Sequence, residues 1–190
     1  MIFVSELKQC VVLIACFAAH CVPLLIQQNV DGSDAFNRSW AEFKVGFNDS
    51  QGNYWLGNDL LHQLTTNGRY KLRFDLQARD NRSWFYAEYS RFVVSNEASN
   101  YTVQVSGYLG NAGNAFLTHS GHMFTTYDRD NDMWIHELGT NCAVFNGGGF
   151  WYTIWCGRCN VNTVRGSGNS FTWWSPGNLN LDTSRMWLTC

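Results

Sequence analysis

The stretch NCAVFNGGGFWYTIWCGRCNVN, residues 141–162, combines three cysteines, three consecutive glycines and a run of aromatic side chains. It lies in the half of the chain after about Gly107, where Gly, Asn, Ser and Trp dominate and no helix or strand period is visible. We therefore predict that this half consists of loops. Because loops carried on a rigid sheet are where binding sites tend to lie, a binding site is expected in this half.

Before Gly107 the sequence is periodic, and its first elements are predicted to be two short helices. The segment SWAEFKVGF, residues 39–47, opens with Ser39 as an N-cap and spaces its aromatic residues at helical intervals. The segment GNDLLHQLTTNG, residues 57–68, places Asp59 ahead of three leucines and ends at an Asn-Gly pair. Both spacings are typical of amphipathic helices.

The period then changes to two, which predicts strands. Apolar and polar residues alternate in YKLRFDLQA, residues 70–78. SWFYAEYSRFVV (83–94) and YTVQVSGY (101–108) follow with similar aromatic and β-branched content. Three consecutive antiparallel strands are expected, so the predicted fold class is α+β.

Composition limits the functional classes. The 190 residues are 45% hydrophobic, enough for one globular core. Thirteen Lys and Arg against 15 Asp and Glu give a net charge of −2 with no basic run, which argues against nucleic acid as a partner. The chain has no GxSxG, HExxH or P-loop motif and no zinc-like cysteine set, so we predict that it is not an enzyme. His119 and His122 form only an HxxH, and a structural histidine is favoured over a metal ligand.

The N-terminus is predicted to be a secretory signal. An apolar run, Val11 to Ala19, follows Lys8 and is too short to span a bilayer of roughly 30 Å. We expect residues 1–21 to be a signal peptide cleaved near Cys21; the alternative is an aberrant hydrophobic leader. Export agrees with four glycosylation sequons, at Asn37, Asn48, Asn81 and Asn100.

Cysteine parity supports the same compartment. Three of the seven cysteines would leave with the signal, and four would remain: Cys142, Cys156, Cys159 and Cys190. Four cysteines allow three connectivities, and spacing does not choose among them.

An acidic triplet lies in the loop-rich half. YDRDNDMW, residues 127–134, has aspartates at every second position, which suits either a calcium loop or a solvated turn. An EF-hand is excluded, because its sixth and twelfth positions, which need Gly and Glu, fall on Met133 and Gly139.

Four segments in order resemble the fibrinogen C-terminal globular domain of ficolins, tenascins, angiopoietins and tachylectins. They are RSWAEFKVGF (38–47), GNYWLGNDLLHQLT (52–65), HSGHMFTTYDRDND (119–132) and residues 141–162. The resemblance covers about residues 24–188, and the family's usual N-terminal subdomain has no counterpart. We therefore expect one domain over 22–190, with a central twisted antiparallel sheet, short helices and a loop-rich, calcium-binding C-terminal subdomain.

The resemblance implies a calcium site. It maps side-chain ligands onto Asp130 and Asp132 and carbonyl ligands onto Trp134 and His136, while Asp128 falls outside the ligand set. Ca²⁺ is the one cofactor implied.

The resemblance also implies a disulfide between Cys142 and Cys156, with a ligand pocket beside it. Cys159 and Cys190 would then pair with each other, remain free, or link chains. The pocket residues by position are Tyr152, Trp155, Cys156, Gly157 and Ser167, with a cis peptide expected between Trp155 and Cys156. Gly157 stands where acetyl-binding members carry a histidine, and Ser167 lies nearest to a tyrosine that they use.

The implied function is a secreted, calcium-stabilised, lectin-like module that binds acetylated sugars or glycoproteins, with innate defence as one setting. The alternative is an angiopoietin-like or tenascin-like domain that binds a cell-surface or matrix protein and no sugar.

Overall fold

A computed structural model describes residues 22–66, 70–134, 141–166, 171–174 and 177–190. The predicted signal, residues 1–21, lies outside the described residues. Within the described residues no helix is long and apolar enough to cross a membrane.

Both predicted N-terminal helices are present. Helix α1 (Trp40–Val45) begins with a capping box, in which Ser39 and Glu42 each accept the other's backbone N–H. Helix α2 (Asn58–Thr65) follows Gly57. A third short helix, α3 (Cys142–Asn146), lies in the half predicted to be loops, and three 3-10 turns cover Asp34–Phe36, Glu97–Ser99 and Phe116–His119.

Most strands form one large antiparallel sheet. In chain order the strands are β1 (Leu24–Asn29), β2 (Phe47–Asn48), β3 (Tyr54–Trp55), β4 (Lys71–Ala78), β5 (Trp84–Val94), β6 (Val103–Gly110), β7 (Phe124–Thr125), β8 (Phe150–Trp151), β9 (Cys159–Asn160), β10 (Thr172–Trp173) and β11 (Leu179–Thr189). The main order is β2-β3-β1-β11-β4-β5-β6, with β10 joining β11 to β9, and β7 pairs separately with β8. The three predicted consecutive strands are confirmed as β4, β5 and β6.

The prediction that the second half consists of loops is wrong at its C-terminus. β11 is an 11-residue strand that lies between β1 and β4 in the middle of the sheet. Its register shifts between Leu181 and Thr183, and this irregularity changes the phase of inward and outward side chains. The buried positions Leu181 and Ser184 are three residues apart, so a search for strict alternation misses the strand.

The core is unusually aromatic and joins the sheet to the helices. Phe43 of α1 lies within 5.0 to 5.5 Å, centroid to centroid, of Phe47, Trp55 and Phe124. Trp151 of β8 contacts Trp55 and Phe124 in turn, so the loop-rich half shares this core. The α+β fold class is confirmed.

Candidate functional site

A cleft opens on the loop-rich half beside the disulfide. Its volume is about 810 Å³, and it is lined by Thr118, His122, Trp134, Phe145, Thr153, Ile154, Trp155, Cys156, Gly157, Arg158 and Trp174. Two of its indoles are well exposed, Trp155 at 73% and Trp174 at 48%. The burial of its ring lowers the pKa of His122 below the usual histidine value. An open aromatic wall with a few polar groups is the usual composition of a ligand site.

The disulfide implied by the resemblance is present. Cys142 and Cys156 are bonded, with 5.3 Å between their Cα atoms, and the bond joins α3 to the cleft wall. Cys159 is a buried free thiol, and Cys190 is itself disulfide-bonded, so the pairing of these two with each other is wrong.

His119 is buried in the core and forms hydrogen bonds with the segment that lines the cleft. Its ring is fully buried and stacks on Phe116. Nδ1 lies 2.7 Å from the carbonyl oxygen of Trp151, which can only accept, so Nδ1 carries the proton. Nε2 is then free to accept from the backbone N–H of Arg158 at 3.3 Å, and it lies 3.3 Å from the Sγ of Cys159. The geometry therefore supports a structural role for His119 rather than a role as a metal ligand.

Burial also fixes the charge of His119. Loss of hydration lowers its pKa from 6.5 to about 4, so the ring is neutral near pH 7. Between pH 6.5 and pH 4 the unfolded chain binds a proton at this residue that the folded chain does not bind. This residue therefore reduces folding stability as the pH falls through that window.

Gly157 packs directly on His119. Its φ is +91°, and a Cβ added there would lie 2.2 Å from Cε1 of His119. The position at which acetyl-binding members carry a histidine therefore has no room for a side chain in this molecule. The glycine is required both by its backbone angle and by the imidazole beneath it.

Two expectations for the pocket are corrected. Tyr152 does not line the cleft, because it is fully buried and its hydroxyl donates to the carbonyl of Gly148 and accepts from Asn160. No cis peptide occurs within the described residues, so the Trp155–Cys156 bond is trans. Cys156 instead adopts a left-handed φ of +58°, a conformation that L-residues rarely take.

The other predicted pocket residues divide between the cleft and the undescribed segments. Trp155, Cys156 and Gly157 line the cleft. Ser167 lies outside the described residues, as does His136 of the predicted calcium site. The role of each in binding a ligand stays a prediction.

The two predicted carboxylate ligands lie side by side. The carboxylate of Asp132 accepts backbone N–H groups from Trp134 at 2.9 Å and Cys142 at 2.8 Å. Burial raises the pKa of Asp132, the neighbouring charge of Asp130 raises it further, and the two N–H bonds act in the opposite direction. A hard cation would remove the repulsion between these oxygens, so the pair fits calcium. No group of three or more acidic, histidine or cysteine side chains within the described residues could hold a metal, so main-chain carbonyls such as that of Trp134 would have to complete the shell.

Asp128 forms hydrogen bonds that connect the acidic loop to helix α1. One of its oxygens, Oδ1, accepts from the backbone N–H of Trp40 at 2.9 Å and from the hydroxyl of Thr126 at 2.7 Å. It therefore fixes the start of α1 against the acidic loop.

Buried amides anchor the loops around the cleft, and the sequence analysis missed them. Nε2 of Gln27, on β1, donates to the carbonyl of Val161 at 2.9 Å and to Oδ1 of Asn162 at 3.0 Å. Nδ2 of Asn162 donates in turn to the carbonyl of Gly149 at 3.0 Å. Asparagines in a loop are ordinarily read as turn residues, so composition alone gives no signal for this network.

The four sequons differ in exposure. Asn37, Asn48 and Asn81 are exposed. The amide of Asn100 is partly buried, because its oxygen accepts from Arg129 at 2.6 Å and its nitrogen donates to the sulfur of Met123. Glycosylation of these residues stays a prediction.

Comparison with known proteins identifies the family of this chain. Residues 18–181 match the family model described as fibrinogen beta and gamma chains, C-terminal globular domain. This chain belongs to the fibrinogen C-terminal domain family. Its members are binding modules, and this chain is accordingly not an enzyme.

Several relatives are similar over most of this chain. Tenascin-R of Rattus norvegicus is 39% identical over 73% of the chain and 10% of its own length. The human fibrinogen alpha chain is 41% identical over 78% of the chain and 18% of its own length, and mouse angiopoietin-related protein 1 is 41% identical over 67% and 25%. The chain thus spans a quarter or less of these relatives.

Solved structures share the fold. The fibrinogen-like globe domain of human ANGPTL2 superposes with a TM-score of 0.78 and 32% identity, over 90% of this chain and 82% of that one. Lamprey fibrin D-dimer, complexed with the peptide Gly-His-Arg-Pro-amide, gives a TM-score of 0.75 and 29% identity, over 87% of this chain and 60% of that one.

The contact between Gly157 and His119 can be tested with a matched pair of glycines. Gly157→Ala adds a methyl group 2.2 Å from the imidazole and should lower the free energy of unfolding by about 2–4 kcal/mol, from backbone strain plus overpacking. Gly166 has a similar φ of +87° with nothing within 4 Å of an added Cβ, so Gly166→Ala should cost only about 1 kcal/mol. Urea unfolding of both variants measures the difference. Equal losses would mean that the imidazole does not limit the cleft floor.

Proposed function

We propose that this chain is a secreted recognition module that binds a saccharide or the glycan of a glycoprotein in its tryptophan-lined cleft. The exposed indoles of Trp155 and Trp174 carry the proposal, because open aromatic faces suit the apolar faces of sugar rings. The polar side chains among the lining residues, those of Thr118, His122 and Thr153, suit hydroxyl groups. Secretion is supported by the leader, the sequons and the disulfide, since disulfides persist in oxidising compartments.

Recognition of acetyl groups has less support than recognition of a sugar ring. Two residues assigned to an acetyl pocket do not supply side chains to the cleft: Tyr152 is buried and Gly157 has none. The ligand would therefore be held chiefly by stacking on the indoles and by hydrogen bonds to the polar lining residues.

A protein ligand is the second candidate. Val144, Phe145 and Ile154 are 57%, 41% and 52% exposed, and Phe145 and Ile154 line the cleft. Exposed apolar and tryptophan side chains are also typical of protein interfaces. The lamprey structure was solved with a peptide ligand, and the tenascin and angiopoietin-related relatives fit this candidate as well.

The tryptophan wall can be tested on a glycan array. Trp155→Ala should weaken retention of any bound glycan by about tenfold or more, since it removes a stacking face of the kind that dominates binding energies. Trp84, on β5, is 45% exposed and outside the cleft, so Trp84→Ala should leave retention unchanged. If wild type retains no glycan but binds a cell-surface protein, the second candidate replaces the first.

We also propose that calcium stabilises the acidic loop through Asp130 and Asp132. An ion that binds only the folded state stabilises it by about 2.7 kcal/mol at a hundredfold excess over Kd. Adding a chelator should therefore lower the Tm of the wild type.

The asparagine variant of one ligand separates calcium binding from hydrogen bonding. Oδ1 of Asp130 accepts from the N–H of Asp132 at 3.2 Å, and an asparagine can keep this bond while losing the charge. Asp130→Asn should therefore abolish most of the difference in Tm between calcium and chelator. Asp128→Ala should lower Tm equally in both conditions, because Asp128 holds α1 rather than the ion. Identical wild-type melting curves with and without chelator would reject the calcium site.

A further inference from the structure

The side-chain charge of the described residues that line the cleft is unbalanced. Arg158 lines it, and none of the described residues that line it is acidic. The backbone of Arg158 forms hydrogen bonds with His119 and Trp174. Its guanidinium makes no hydrogen bond or ion pair with any described residue. Seven other basic side chains do pair with carboxylates: Arg38, Lys44, Lys71, Arg73, Arg82, Arg129 and Arg165.

An arginine that has no carboxylate partner among the described residues favours an anionic ligand. Its planar guanidinium matches a carboxylate in a two-bond geometry that a lysine cannot offer. A cationic ligand would meet this charge, and none of the described lining residues is acidic to offset it. The charge thus selects among the saccharides that an aromatic wall alone would accept.

From the shared placement of indoles and guanidinium, we propose that the ligand is an acidic saccharide. Its ring packs on Trp155 or Trp174, and its carboxylate pairs with the guanidinium of Arg158. This inference rests on the proposed binding of a sugar in the same cleft. An acidic peptide would satisfy the charge but would make less use of the polar lining residues Thr118, His122 and Thr153, which suit the hydroxyl groups of a sugar.

The test compares two sugars that differ only at the acid. Methyl glucuronide and methyl glucoside share one ring, and the first has a carboxylate where the second has a hydroxymethyl group. Titration of the full chain should give about fivefold tighter binding of the glucuronide, the amount expected for one exposed ion pair. Because the pair is solvent-exposed, raising the salt concentration should reduce this preference.

Variants of Arg158 locate the effect. Arg158→Gln should abolish the preference, so that the variant binds glucuronide and glucoside equally, whereas Arg158→Lys should restore only part of the preference. Arg91 is an exposed arginine on β5, outside the cleft and without an ion pair among the described residues, so Arg91→Gln should keep the full preference.

Different results would overturn the proposal of acid recognition and the proposal of sugar binding. Equal binding of both sugars, or a preference that survives Arg158→Gln, overturns acid recognition while sugar binding stands. Binding of N-acetylglucosamine in preference to glucuronide also overturns it and returns the site to acetyl recognition. Binding of an acidic peptide, with no binding of either sugar, overturns both proposals.

Discussion

Main-chain polar groups in the loop-rich half need hydrogen-bond partners that a sheet would otherwise supply. Residues 147–166 contain only short strands, yet many of them are buried, and an unpaired buried carbonyl costs about 1–3 kcal/mol. Side chains meet this requirement. Gln27 serves the carbonyl of Val161, Asn162 serves that of Gly149, and His119 serves that of Trp151.

This arrangement gives the cleft rigid support from the sheet. Gln27 belongs to β1, which pairs with β11 in the middle of the sheet, so the loop that it holds is tied to the best-packed part of the molecule. The Cys142–Cys156 disulfide ties the other side of the same segment to α3. The buried carbonyls of Gly149, Trp151 and Val161 are therefore paired internally, and the exposed indoles of Trp155 and Trp174 line the cleft together with Arg158. A site built on such a frame loses little entropy when it binds.

Sequence patterns correctly predicted the helices and strands that are determined by neighbouring residues. Helix α1 was predictable because its capping box lies within the four adjacent residues Ser39 to Glu42. Strand β4 was predictable because its apolar and polar residues alternate without a break. β11 was missed because its register shift changes the phase of the alternation. The resemblance identified the disulfide but wrongly assigned Tyr152 to the pocket. A resemblance in sequence predicts where a residue lies along the chain and not the direction of its side chain. The anchoring role of Gln27 was beyond reach, since its partners lie more than 130 positions away along the chain.

Hydrogen exchange of a Gln27→Met variant tests the support of the cleft most directly. Methionine keeps the length of the side chain and removes both donors, so Asn162 loses its hydrogen bond from the sheet and the carbonyl of Val161 keeps only those from Asn29 and Ser184. The amides of residues 149–163 should exchange about tenfold faster, while β4 and β5 keep their protection. Gln28, on the opposite face of the same strand, bonds to Gly52 and Arg185, so Gln28→Met should leave residues 149–163 unchanged. Unaltered exchange in that segment of the Gln27 variant would contradict the account, because the cleft wall would then not depend on the hydrogen bonds that Gln27 supplies from the sheet.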